Sequence, residues 1–129
     1  MLLAKKKINN CASIVFLSSI SGFLIGSPGN LMYSSSKAAL NGIVKTLAIE
    51  LASKKIRVNS INAGMIKSEM WQKADSFITQ EHLLTDSLKY PLGYGEVSDA
   101  ASLVAFMVSD ESRWITGTSI VADGGFTAQ

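Results

Sequence analysis

Apolar residues along this chain change their spacing from continuous runs to helical intervals and back, and each change marks an element. Ser13 to Leu17 is a nearly continuous apolar run, the pattern of a parallel strand covered on both faces. From about Met32 to Ser53, Leu40, Ile43, Val44, Leu47 and Leu51 recur at i, i+3, i+4, i+7, which predicts one long amphipathic helix. Ile56 to Ile61 predicts a second strand, ended by Asn62-Ala63-Gly64. Ser98 or Asp99 suits the N-cap of a helix reaching about Ser109, with Ala100, Leu103, Val104 and Met107 on its apolar stripe. Ser119 to Ala122 predicts a third strand, from which Asp123-Gly124-Gly125 turns away. This β–α–β–α–β order implies parallel strands joined by right-handed crossovers.

The intervening stretches are less regular. Residues 1–10 read as the tail of a helix, and Ser18 to Leu31, rich in Ser, Gly and Pro, reads as a loop. Residues 65–92 carry Met70, Trp71, Phe77, His82 and Tyr90 in an amphipathic stretch that predicts short helices forming a lid. A chain of 129 residues suits one domain, and 47% hydrophobic with 17% charged residues excludes a disordered or fibrous chain.

Charge narrows the partners. A net charge of +2, with both signs dispersed, gives no basic face for nucleic acid, and Lys5-Lys6-Lys7 reads as a solvated helix end. The single Cys11 excludes an internal disulfide and supplies no metal-ligand spacing, so no metal is expected. Met1-Leu2-Leu3-Ala4 is too short for the apolar core of a signal peptide, and no apolar run reaches the ~18 residues of a membrane span. A cytoplasmic protein without a membrane partner is the expectation.

Candidate chemistry gathers near the first strand. Ser18, Ser19 and Ser21 offer hydroxyls at its end, and Tyr33 and Lys37 stand four residues apart at the start of the long helix. At that spacing the phenol and the ammonium project from one helix face. A phenol, ordinarily titrating near ~10, is a poor acid or base at neutral pH, and a cation beside it favours the phenolate. That pair meets the need of a carbonyl/alcohol redox step, in which one group moves a proton while a cofactor moves a hydride. A surface tyrosine and lysine sharing a helix face is the plain alternative. His82, alone in its segment, reads as a surface residue, while Trp71, Met70 and Phe77 suit either a substrate pocket or lid packing.

Ile14-Val15-Phe16-Leu17-Ser18-Ser19, Tyr33-Ser34-Ser35-Ser36-Lys37-Ala38-Ala39-Leu40, Ile56-Arg57-Val58-Asn59, Ala63-Gly64, and Ile115-Thr116-Gly117 through Asp123-Gly124-Gly125 carry a family resemblance. In order and spacing they resemble the C-terminal half of a short-chain dehydrogenase/reductase, close to bacterial 3-oxoacyl-carrier-protein reductases. The resemblance runs from about residue 8 to the C-terminus. It implies the C-terminal half of a Rossmann-like, doubly wound parallel α/β sheet, about three parallel strands with flanking helices, the N-terminal half being absent. Residues 1–129 would then be a partial domain.

The resemblance also implies roles. Ser19 would hold the substrate's carbonyl or hydroxyl oxygen, preferred over Ser18 and Ser21 because it stands three residues before Gly22. Tyr33 would exchange that oxygen's proton, and Lys37 would favour the phenolate while holding the nicotinamide ribose hydroxyls. Ala63-Gly64-Met65-Ile66-Lys67-Ser68 matches the family's Pro-Gly-x-Ile-x-Thr, so Gly64, Ile66 and Ser68 would bind cofactor, with Ala63 and Ser68 as departures. The cofactor implied is NAD or NADP, the substrate a small carbonyl or alcohol, and the full-length form a homo-oligomer.

Gly22, Gly26 and Gly29 do not reproduce the phosphate-cradling loop, since Pro28 stands where its last glycine belongs. They read as a flexible loop over the active site. Trp114-Ile115-Thr116-Gly117 reads as the approach to the last strand, in relatives part of an oligomer contact and otherwise ordinary core. An absent first half would leave the first strand's edge unpaired and expose Val15, Leu17, Val44 and Leu47. Two readings of function follow: an NAD(P)-dependent oxidoreductase, or a truncated, non-catalytic fragment acting at most as an interaction module.

Overall fold

The computed structural model describes residues 2–8, 11–69, 71 and 80–129. In chain order the elements are β1 (Leu2–Ile8), β2 (Cys11–Ser19), α1 (Leu31–Glu50), β3 (Ile56–Ala63), β4 (Ile66–Lys67), α2 (Gln80–Ser87), β5 (Gly95–Glu96), α3 (Val97–Val108) and β6 (Ser119–Ala122). The main sheet runs β1-β2-β3-β6, and β4 pairs with β5 in a small second sheet. β2, β3 and β6 are parallel, as their order in the sequence predicts. Ser19 lies opposite Ala63, and Ala63 opposite Ala122, so the carboxyl ends of the three strands meet in one row.

Alternation along β2 sends neighbouring residues to opposite faces of the sheet. Phe16 joins Val58, Val44 and Ala48 in a core under α1, and Val15 joins Ile61 and Met107 in a core under α3. The expected exposure of Val15 and Val44 is therefore not found; both are fully buried. Leu17 is exposed as expected, at 39%. Ile43, expected on the stripe of α1, is exposed, and Asn41 takes a buried place beside Val44 and Ala48.

Asn41 is accommodated because its Oδ1 accepts hydrogen bonds from Ser119 Oγ (2.7 Å) and Ser60 Oγ (3.4 Å). A buried amide so paired stands in the apolar face without the cost of an orphaned group. Asn59, also fully buried, donates through Nδ2 to Ile115 O (2.9 Å) and accepts from Thr118 N–H (3.2 Å). This clasp brings β6 beside β3.

Residues 2–8 form a strand where a helix tail was expected. β1 lies antiparallel against β2, with Leu2 opposite Val15 and Ile8 opposite Cys11. The free N–H and C=O groups along β2 outweigh the weak helical preference of a lysine-rich segment. The edge expected to be bare is thus paired, and β1 becomes the outer strand. α1 starts at Leu31 and gives way to a 3₁₀ turn at Ala52–Lys54. α3 starts at Val97 because Asp99 Oδ2 accepts the Glu96 N–H at 2.7 Å, which makes Glu96 the N-cap in place of Ser98 or Asp99. Among the described residues no helix is long and apolar enough to cross a membrane.

Ile61 has no exposed surface and joins β3 to Met107 of α3. Truncation to alanine should cost about 2–5 kcal/mol, the range for buried isoleucine. Urea denaturation of Ile61→Ala against the parent measures it, and a loss under about 1 kcal/mol would remove Ile61 from the core.

Candidate active site

Ser18 and Ser19 end β2, and strand alternation points their side chains to opposite faces. Ser18 Oγ donates to Lys37 O (3.0 Å), so this serine fastens α1 to the sheet. Ser21 Oγ pairs with Ser27 Oγ at 2.8 Å. Ser19 Oγ accepts the Ser21 N–H (3.1 Å), and its own hydrogen has no acceptor among the described residues. Ser18 donates its hydrogen to Lys37 O, Ser21 shares one bond with Ser27 in which either hydroxyl can donate, and Ser19 keeps its hydrogen for a ligand.

Tyr33 and Lys37 stand one turn apart in α1, as their spacing predicts, with the Lys37 ammonium 5.6 Å from the Tyr33 ring centroid. That is cation–π range. Lys37 Nζ also donates to Leu17 O at 2.9 Å, which holds the ammonium against the end of β2. Tyr33 is 45% exposed. The Gly22-containing segment is a hydrogen-bonded turn rather than an open loop: Leu24 N–H and Ile25 N–H both donate to Ile20 O. Gly22, at φ 81°, passes so close to α1 that a Cβ there would overlap Ser34 O. Two polar groups, Ser34 Oγ and the side-chain amide of Asn62, are buried with no hydrogen-bond partner among the described residues.

The second predicted segment follows β3. Gly64 N–H donates to Ala122 O (3.0 Å), leaving its carbonyl as the group available to a ligand. A Cβ at Gly64 would meet Asp123 Cα at 2.8 Å and Tyr90 Cε1 at 3.2 Å, so close packing requires the glycine. Ile66 lies in β4 opposite Gly95. Ser68 Oγ accepts the Trp71 N–H (3.3 Å), and its own hydrogen has no acceptor among the described residues. Lys67 and Glu96 form an exposed ion pair at 2.7 Å, worth little in water.

An aromatic cluster behind Gly64 escapes sequence reasoning. Tyr90 packs on Phe126 (4.6 Å between ring centroids) and on Tyr94 (5.0 Å), and Trp71 meets Tyr94 edge-on at 6.2 Å. Trp71 therefore packs against other rings, while Met70, Phe77 and the side chain of His82 lie outside the described residues. Asp123 is a second omission. Its carboxylate accepts from Gly125 N–H, Thr127 N–H and Thr127 Oγ, and an Asp followed by Gly and Thr at these offsets is the sequence signal for such a turn. Partial burial raises the Asp123 pKa, but those hydrogen bonds outweigh it and hold it below the usual value. A cavity of about 380 Å³ opens beside Gly124, lined by Ile61, Met65, Ile66, Tyr94 and Asp99. Its lining also includes Ala63, opposite Ser19 in the sheet, but not Ser19, Tyr33 or Lys37 themselves.

Trp114 departs from the core reading, being 91% exposed. Thr116 and Gly117 do serve as the approach to β6, bonded to both N–H and C=O of Val58.

Parallel strands crossed by helices, with hydroxyl, phenol and ammonium groups at their carboxyl ends, define an α/β protein of the class that binds ligands beyond those ends. The sequence model described as enoyl-(acyl carrier protein) reductase matches residues 1–127. The chain belongs to the short-chain dehydrogenase/reductase family. It is 44% identical over 125 residues to short-chain dehydrogenase/reductase aba4 of Botryotinia fuckeliana, covering 94% of this chain and 48% of that protein. It is 41% identical over 118 residues to the 3-oxoacyl-[acyl-carrier-protein] reductase FabG of Rickettsia felis, covering 91% and 47%. Among solved structures, 4-hydroxyisoleucine dehydrogenase complexed with NADH superposes with a TM-score of 0.84 at 35% identity, over 92% of this chain and 48% of that one. The chain thus spans about half the length of the relatives it matches.

The cluster makes a pH prediction. Burial, and then the hydrogen bond Tyr94 donates to Asp86 (3.1 Å), push the Tyr94 phenol up to about 12. A group whose folded pKa is raised loses its stabilising contribution as pH climbs from the unfolded value toward the folded one. Stability should therefore fall between pH 10.0 and about 12, less steeply in Tyr94→Phe. Denaturation midpoints across that interval test it; parallel profiles for parent and variant would refute the shift.

Proposed function

We propose that this chain carries the proton-transferring half of an NAD- or NADP-dependent oxidoreductase that interconverts a carbonyl and an alcohol. The observation that carries the reading is the Lys37 ammonium held 5.6 Å from the Tyr33 ring and anchored on Leu17 O. Ser19 supports it with a hydroxyl free to donate at the same end of β2. In this reading Ser19 binds the substrate oxygen, Tyr33 gives or takes its proton, and Lys37 stabilises negative charge on the phenol.

The donor set suits the nicotinamide end of a dinucleotide. Tyr33 and Lys37 would hold ribose hydroxyls, and the Gly64 carbonyl, the Ile66 backbone and Ser68 Oγ would hold the carboxamide. The cofactor supplies the hydride. Residues 65–92 act as the lid that selects the substrate, a small carbonyl or alcohol compound. The partly free hydroxyl and the anchored ammonium favour this reading over a non-catalytic interaction module, for which neither is needed.

Joined to a family-type nucleotide-binding half, the Tyr33→Phe protein should lose ~10²–10⁴ in turnover while cofactor affinity survives. Lys37→Met should damage both. Steady-state rates and cofactor titrations separate the two; unchanged kcat in Tyr33→Phe would end the assignment.

The 129-residue chain alone should bind NADH and NADPH negligibly and show no dehydrogenase activity, because the main phosphate anchor of the family is not among its motifs. Calorimetric titration with either dinucleotide checks this, and micromolar affinity would contradict it.

A further inference from the structure

The end of the sheet remote from Tyr33 and Lys37 holds a second cleft. The first residues of β2 and β3 and the turn after α3 line an open cleft of about 650 Å³, within the ~300–1,000 Å³ of small-molecule sites. The length of β2, roughly 3.3 Å per residue, separates it from Ser19. Lys55, Arg57 and Arg113 line it, opposed by the single carboxylate of Asp110. Arg57 is fixed in the wall: Nη2 donates to Ser109 O (3.0 Å) and Nη1 to Ile115 O (3.3 Å).

Two features stand on its rim. Trp114 lines the cleft with 91% of its surface exposed, although an indole gains from burial. Lys55 is the one non-glycine with positive φ among the described residues, at 54°. Glycine usually takes that conformation after a helix, and a side chain there costs on the order of 1 kcal/mol. The strain sets an ammonium on the cleft.

We infer that this cleft is a ligand site distinct from the candidate active site, and that its ligand is a small anion bearing a planar ring, the chemistry of a mononucleotide. Among the described residues the lining carries three cations, with Arg57 bonded to backbone carbonyls, against one carboxylate, which favours an anion. The exposed indole offers the ring a stacking surface, and the volume of the cleft lies in the range of small-molecule sites.

Adenosine monophosphate is the probe, with adenosine and inorganic phosphate as its two halves. In the chain carrying Trp71→Phe, emission comes from Trp114 alone, since the sequence holds two tryptophans. The nucleotide should change that emission saturably and bind at least about tenfold more tightly than either half, with affinity falling as salt rises. Calorimetry on the parent chain should give the same constant. Lys55→Gly suits the backbone and should keep or raise the melting temperature while weakening binding severalfold. Arg113→Glu should weaken it by about tenfold or more. The assignment is overturned if millimolar nucleotide gives neither signal, or if both variants bind like the parent. Binding of an acidic peptide with no response to the nucleotide also overturns it.

Discussion

The parallel register of β2 on β3 governs where every candidate group stands. Setting Ser19 against Ala63 places Gly64 one residue beyond the end of the first strand, and every contact after that point inherits the alignment. A slip of β3 by one residue would turn Ile61 out of the α3 core and bring Val58 into it, while Val15 and Phe16 of β2 kept their faces. The two cores, one beneath each helix, make that slip costly. Side chains then tie α1 to the same frame: Ser18 bonds Lys37 O, and Lys37 Nζ bonds Leu17 O. The helix that carries the phenol and the ammonium is thereby located by backbone carbonyls at both ends of one lysine.

This arrangement divides labour among neighbouring serines that composition alone makes equivalent. Ser18 fastens the helix, Ser21 closes the following turn with Ser27, and Ser19 keeps a donor free. Pleating accounts for the division, because successive residues of a strand face opposite sides. Gly64 shows the same economy on β3. Its missing side chain leaves room for Asp123 and Tyr90, which bring the end of β6 and the segment after α2 up to the row of carboxyl ends.

Much of this was legible in the residues. The parallel strands and both principal helices follow from hydrophobic spacing, and β6 matches its predicted limits of Ser119 and Ala122. The pairing of Tyr33 with Lys37 follows from helical geometry alone. What the pattern did not carry was non-local. Residues 2–8 have no strand alternation, and they become β1 because β2 presents unpaired groups beside them. The burial of Asn41 depends on Ser60 and Ser119, distant in sequence, and the stacking of Tyr90, Tyr94, Trp71 and Phe126 arises only where three segments converge. These misreadings concern partners supplied by another part of the chain, whereas the N-cap of α3 at Glu96 and the turn at Gly22 are settled by bonds within a few residues.

The clasp that Asn59 makes on residues 115 and 118 has a consequence for how the chain reaches this state. Its partners lie 56 and 59 positions away, whereas β1 and β2 pair from Ile8 opposite Cys11 onward. Closing so long an interval carries a loop-entropy cost before any contact offsets it, so β6 should join last, onto a β2–α1–β3 unit already assembled. Asn59 waits in that unit with both amide atoms facing a place not yet filled. Hydrogen exchange at Ser60 N–H, which donates to Thr118 O, would then report the arrival of the final strand rather than the collapse of the first two.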